Sequence, residues 1–438
     1  MAILNKEEAQ AILKKVLSFS QADECEVSLE GSEGGNVRYA RNAVSTSGEI
    51  STTSLAVNST FGKKTGTATI NEFDDASLKK VVQRSEELAQ LAPENPEYVS
   101  VLPPQEYAES ITYVPQTDAI DPQARAEMAA KSLKVAKEAN LEAAGFLENS
   151  TEFSALMNSK GLFAYNQDTD VSFSVTMRNQ EGTGSGYVDH SYNDVEKLDT
   201  LALSKIAAEK ANGSAGARAI EPGKYTVILE PLAASDMLDR LTRNFDARSA
   251  DEGRSFLSKQ GGGTRKGEQL FNDTITVYSD PLHPDLPSAT WASDGRPLTK
   301  VNWIEKGVVK NLSYSRYWAE KQGVEATPPA RRVIVEGGEG STQDLISNTE
   351  RGILVTRFWY IRMVDPQTLL LTGLTRDGTF YIENGQIKYP LKNFRFNESP
   401  VIMLNNVEAL GKPVRTGDTI VPPMKIRDFT FTSLSDAV

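Results

Sequence analysis

The chain has 438 residues, 39% of them apolar, with 59 acids against 47 bases and a formal net charge of −12; that is enough chain for two or three domains, and the charge repels nucleic acid and anionic membranes on average. No apolar run approaches membrane-spanning length, and the start, Met1-Ala2-Ile3-Leu4-Asn5-Lys6, lacks the basic-then-apolar order of a signal peptide. One cysteine (Cys25) and two histidines (His190, His283) exclude an intrachain disulfide, suit a reducing cytoplasm, and oblige any two-histidine site to use both.

Residues 5–19 predict an amphipathic helix with Ala9, Ile12, Leu13, Val16 and Leu17 on one face. Alternation over 24–30, 36–41, 44–57 and 61–70 predicts strands, and Asp74-Asp75 caps a helix to residue 91. Residues 92–117 carry Pro93, Pro96, Pro103, Pro104 and Pro115 and are expected to run irregularly over the surface. A helix over 122–139, strands over 142–154, 161–166, 171–178 and 184–192, and a helix over 194–212 repeat the first layout. Gly66 to Asp75 also parallels Gly184 to Asp194: a small-residue strand, a polar turn and an acidic helix cap.

The linker after Asn212 places the domain boundary. Residues 1–216 are expected to form an α+β domain of duplicated helix/antiparallel-sheet units. Residues 217–438 are expected to form a mainly β domain with a few helices. In the second, Tyr225 to Leu229 predicts a strand and Glu230-Pro231 a helix start. Met237, Leu238, Leu241 and Phe245 form that helix's apolar face; Asp236, Asp239, Arg240, Arg243 and Asn244 form its polar face. Hairpins are expected at 300–312 and around Asn384-Gly385, with short helices near 314–322, 342–348 and 399–405.

The remaining motifs read as structural. Gly182-Thr183-Gly184-Ser185-Gly186 lacks the Lys-Ser/Thr of a phosphate loop and reads as a small-residue strand. His190 is expected in a solvated loop, His283 in a proline-flanked turn, and Cys25 as a buried thiol. The acidic clusters do not follow calcium-loop spacing, and no Gly-x-Ser-x-Gly elbow is present.

Several C-terminal stretches together resemble the TldD/PmbA family, often labelled modulators of DNA gyrase, a family of cytosolic peptidases. They are Val227–Ala234, Gly253-Arg254-Ser255-Phe256-Leu257, Asp294-Gly295-Arg296-Pro297-Leu298-Thr299, Ile304–Lys310, Gly352–Arg357 and Tyr381–Ile387. Each is short, and their order through the C-terminal half carries the match. The N-terminal half fits in layout only.

The family has two kinds of subunit, one carrying His-Glu-x-x-x-His on the first helix of the C-terminal domain and a late cysteine. Here the matching positions are Asp239, Arg240 and Asn244, give or take a residue in register, and no cysteine follows Cys25. The resemblance therefore implies the metal-free, TldE/PmbA-type subunit, with no catalytic residue and no cofactor of its own. A zinc-type metal is expected in a TldD-like partner subunit, and extended peptides are the implied substrate. A homodimeric peptide-binding scaffold is the alternative. The 239–244 face is either a solvated surface or a contact with the partner or substrate.

Overall fold

The computed structural model describes residues 3–435; Met1 and Ala2, the first two residues of the segment read for a signal sequence, lie outside them. In the N-terminal half the elements are α1 (Lys6–Leu17), β1 (Glu24–Ala40), β2 (Ala43–Phe61), β3 (Lys64–Ile70), α2 (Asp75–Leu91), α3 (Pro115–Asp118), α4 (Pro122–Glu138), β4 (Leu141–Asn158), β5 (Phe163–Asn179), β6 (Ser185–Tyr192) and α5 (Thr200–Gly213). The expected helix–strands–helix layout does occur twice, but both copies share one antiparallel sheet of order β3-β2-β1-β4-β5-β6. The central seam pairs β1 with β4, Val27 opposite Met157.

Several short predicted strands are continuous. β1 spans 17 residues and β2 spans 19, with Gly31, Gly34 and Gly35 inside β1 rather than ending it. The helix expected from residue 194 starts at Thr200, because Asp194 caps a separate 3-10 turn, Val195–Lys197, and Asp199 caps the helix proper.

All four long helices pack on one face of this sheet. Leu13 of α1 and Val82 of α2 meet Val27, Leu29 and Val57; Ala129 of α4 and Ala207 of α5 meet Val171, Phe173 and Val175. The 2-residue period of a strand sends the alternate residues to the other face. There Glu26, Ser28, Ser154, Asp168, Asp170, Ser172 and Asp189 stand, on the side away from these four helices.

The C-terminal half holds β7 (Lys224–Leu229), α6 (Pro231–Thr242), α7 (Ala247–Asp251), β8 (Val277–Ser279), β9 (Val301–Glu305), β10 (Val308–Val309), α8 (Arg316–Gln322), β11 (Val333–Val335), α9 (Thr342–Ser347), β12 (Arg351–Asp365), β13 (Leu370–Glu383), β14 (Gln386–Pro390), β15 (Phe394–Glu398), α10 (Pro400–Asn405), β16 (Val407–Leu410), β17 (Val414–Thr416), β18 (Thr419–Val421) and β19 (Met424–Leu434). It is mainly β, as expected. One sheet runs β12-β7-β19-β15-β13-β14, and a further β12–β13 pairing closes its first five strands into a ring. Closure removes unpaired strand edges. Aromatics fill it: Phe358 lies 4.6 Å from Phe396 and Phe394 lies 4.7 Å from Phe431, centroid to centroid. The long β12–β13 hairpin and β19 carry no alternation strong enough to predict their length.

The proline-rich connection of 92–117 is mostly irregular and partly exposed, yet it is fastened to the C-terminal half. Tyr107 donates to the Gly295 carbonyl at 2.7 Å, Ser110 to that of Pro281 at 3.0 Å, and Arg316 to that of Ser100 at 2.6 Å. Among the described residues no helix is long and apolar enough to cross a membrane.

Strand β6 approaches α5, and β3 approaches α2, at glycines in matching places. A Cβ on Gly186 would lie 2.1 Å from the Ala207 carbonyl oxygen, and one on Gly66 would lie 2.2 Å from the Ala89 nitrogen. Backbone atoms cannot swing aside. Gly186→Ala and Gly66→Ala should each destabilise the chain by about 1–3 kcal/mol in urea melts. Gly48→Ala, with nothing within 4 Å of its Cβ, should be neutral; equal effects at all three sites would contradict close helix–strand packing.

Candidate functional site

Helix α6 follows β7 with Pro231 at its first position, where a missing N–H costs nothing. Ala233, Ala234, Met237, Leu238 and Leu241 are fully buried, and Phe245 beyond the helix packs edge-on to Trp303 at 6.4 Å. The start of α6 is also tied to the N-terminal half, since Lys210 of α5 contacts the Glu230 carboxylate.

The polar face divides in two. Asp236 and Arg240 open into a cavity of roughly 640 Å³ between α6, β6 and β12. Arg243 and Asn244 turn to a different depression, bordered by Arg254 and Asp365. Asp239 is held by its own helix neighbour: Arg243 Nε donates to both carboxylate oxygens, at 2.7 and 2.8 Å. The structure thus does not bring Asp239, Arg240 and Asn244 together. α6 ends at Thr242 with Arg243 as its cap, so Asn244 lies past the helix and donates back to the Arg240 carbonyl at 2.7 Å.

Asp236 is half-buried. One carboxylate oxygen accepts the Phe358 N–H at 3.1 Å. Burial dominates its chemistry, pushing its pKa up to about 7 against the opposing pull of that N–H and of Arg357 and Arg240. Across the cavity, β6 presents Tyr187 and Asp189, whose side chains bond to each other at 2.9 Å. Arg357 of β12 lies 3.7 Å from the Tyr187 ring centroid.

Arg357 also donates through Nε, at 2.6 Å, to Asp377, a buried carboxylate that accepts from Ser185 of β6 as well. Asp377 has a φ of 56° and the next residue, Gly378, 123°. This bulge, opposite a register break at Val355/Arg357, turns the carboxylate inward. Beyond it β12 breaks again between Trp359 and Arg362, with Tyr360 at a φ of 55°. There Trp359, Tyr360 and Met363 are 45%, 60% and 43% exposed.

These residues do not fit a metal centre. A zinc site takes three protein ligands and an open position. On α6 the available donors are one carboxylate clamped by Arg243 and one half-buried carboxyl flanked by guanidinium groups. Among the described residues no group of three or more His, Cys, Asp or Glu side chains is placed to hold a metal. His190 lies on β6 rather than in a loop and points to the helix-covered side, because it alternates with the cavity-facing Asp189. Burial lowers its pKa, and it stacks 6.2 Å from Tyr192. His283 sits in a turn and accepts the Asp285 N–H through Nδ1 at 3.2 Å. Cys25 is a buried free thiol.

The cavity residues Arg357 and Trp359, and Asp377 behind them, were not singled out by sequence reasoning. The available signals were the mixed cationic and aromatic run Arg357-Phe358-Trp359-Tyr360 and the turn dipeptide Asp377-Gly378.

Comparison with known proteins matches three successive family models: the PmbA/TldA metallopeptidase domain 1 over residues 25–89, its central domain over 109–215, and its C-terminal domain over 222–433. An uncharacterized protein of Methanocaldococcus jannaschii is 28% identical over 284 residues, covering 61% of this chain and 65% of that protein. The metalloprotease PmbA of Escherichia coli O157:H7 is 24% identical over 172 residues, covering 36% of this chain and 37% of that one. The chain thus spans less than two thirds of the length of these curated relatives. The crystal structure of TldE from Thermococcus kodakarensis superimposes with a TM-score of 0.87 at 20% identity, covering 97% of this chain and 99% of that one. A Thermotoga maritima structure, described as a putative modulator of a DNA gyrase, gives a TM-score of 0.87 at 19% identity, covering 97% and 100%.

Asp236 binds a proton more tightly in the folded chain than in the unfolded one. Its contribution is fully present below the unfolded value of 3.8 and is lost as pH rises through about 7. Asp236→Asn stays neutral throughout. Between pH 4 and pH 8 the stability difference should therefore move in favour of the variant, on the order of 2–4 kcal/mol in urea melts. A difference independent of pH would mean the Asp236 carboxyl ionises as it does in water.

Proposed function

The chain belongs to the PmbA/TldD metallopeptidase family, and from that premise we propose that it is the non-catalytic, metal-free subunit of a two-chain peptidase acting on extended peptides. The observation that carries this reading is the polar face of α6. It borders a cavity between the two halves of the chain, where chemistry on a peptide has room, but it offers Asp236 and Arg240 instead of histidines and a general base. Hydrolysis by a bound metal needs ligands and a base to activate water. Those are proposed to come from a TldD-like subunit, and the single buried thiol suits a reducing cytoplasm.

Mixing the purified chain with a metal-loaded TldD-like chain should yield cleavage of an unstructured peptide that neither chain gives alone. Size-exclusion chromatography should show a mixed complex. Cleavage unaffected by leaving this chain out, or a stable homodimer that never engages the second chain, would overturn the reading.

A further inference from the structure

The cavity beside α6 carries a charge opposite in sign to the chain around it. The whole chain is −12, yet Arg240, Arg357 and Arg362 reach this one space, and Arg376 and Arg178 stand behind it. Arg357 spends its charge on Asp377. Arg376 is lowered by burial and by the guanidinium groups of Arg357 and Arg178, against the opposing pull of Asp377. Of the acids on the wall, Asp189 accepts the Tyr187 hydroxyl, and burial favours the protonated form of Asp236 up to about pH 7.

Two guanidinium groups are left over. Among the described residues neither Arg240 nor Arg362 has a carboxylate within ion-pair distance. Both are exposed at the cavity mouth, and Arg362 lies 4.5 Å from the Tyr360 ring centroid, which keeps it over the opening. Leu232, Trp359 and Met363 supply an apolar wall beside them. An arginine fork matches the two oxygens of a carboxylate, and an adjoining apolar wall suits the carbon skeleton that bears it.

We propose that this cavity is a binding site for a peptide carboxylate, held by Arg240 and Arg362 with the neighbouring side chain of the peptide against Trp359 and Met363. The carboxylate is either the free C-terminus of the peptide or an acidic side chain. Peptide as the ligand class comes from the proposed function, but binding to the isolated chain does not need the second subunit. Failure of the mixing assay and failure of this site are therefore distinguishable.

The test uses fluorescein-labelled nonapeptides of alanine, glycine and leucine with the isolated full chain, read by fluorescence anisotropy. One peptide ends in a free carboxylate, a second in an amide, and a third in an amide with one internal glutamate. The free acid should bind at least about tenfold more tightly than the plain amide, the scale of a lost charge-assisted hydrogen bond. Tight binding of the glutamate peptide as well would identify a carboxylate from either source; its loss would assign the site to the C-terminus. Arg240→Gln/Arg362→Gln should abolish the preference while the thermal midpoint stays unchanged, since both side chains are exposed. Asp239→Asn, outside the cavity, should keep it. Equal binding of acid and plain amide, no binding of any peptide, or an unchanged preference in the double variant would overturn the proposal.

Discussion

The buried carboxylate of Asp377 ties the β12–β13 hairpin to a strand 192 positions earlier in the sequence. It accepts from Ser185 on the last strand of the N-terminal sheet and from Arg357 on β12, and it is carried by β13. A buried charge is costly unless paired, so these contacts must form together or not at all. The β-bulge at Asp377 and Gly378 exists to turn that carboxylate inward. Arg357, once held there, lies on Tyr187 and forms the floor of the cavity. The ion pair thus shapes the site, and its contacts with Ser185 and Tyr187 join the other ties between the two halves.

A second constraint is steric. The sheet of the N-terminal half takes helices on one face only, and the closest approaches are made at glycines, Gly66 against α2 and Gly184 and Gly186 against α5. With the helices on one side, the opposite face is free to turn toward the C-terminal half. Its acids are compensated from there: Arg415 donates to Asn193 at 3.0 Å and offsets part of the burial that raises Asp170 to about 6. The two halves meet through polar contacts and through one small apolar cluster, Leu156, Leu162 and Ala164 against Trp291, and the cavity beside α6 lies where the contacts are polar.

Helix α6 separates a packed face from a polar one. Its inward face packs as tightly as any in the chain, and the strand–proline–helix entry that positions it is intact. Its polar residues are divided: Asp239 binds Arg243, Asn244 lies past the helix end, and Asp236 stands on the cavity wall, where burial raises its pKa.

Much of this was legible in the sequence, for local reasons. Helix caps such as Asn5 and Asp74 act within three residues, and each does cap a helix. The alternation of the N-terminal strands, the proline at the start of α6 and the Asn384-Gly385 turn are equally local. The α+β repeat and the β-rich second half follow from them, while the family was legible only as a resemblance carried by the order of short C-terminal stretches. Tertiary structure alone decided that the two repeats share one sheet, that β12 and β13 close a ring, and that Arg357, Asp377 and Tyr187 converge. The shared sheet depends on β1–β4 pairs such as Val27 with Met157, the ring on β7 pairing with β12, and the convergence on contacts of Tyr187 with Arg357 and of Ser185 with Asp377; no periodic pattern in either partner encodes where the other will be. For the same reason the polar residues of α6 could be read as a face, but only packing could divide that face between two cavities.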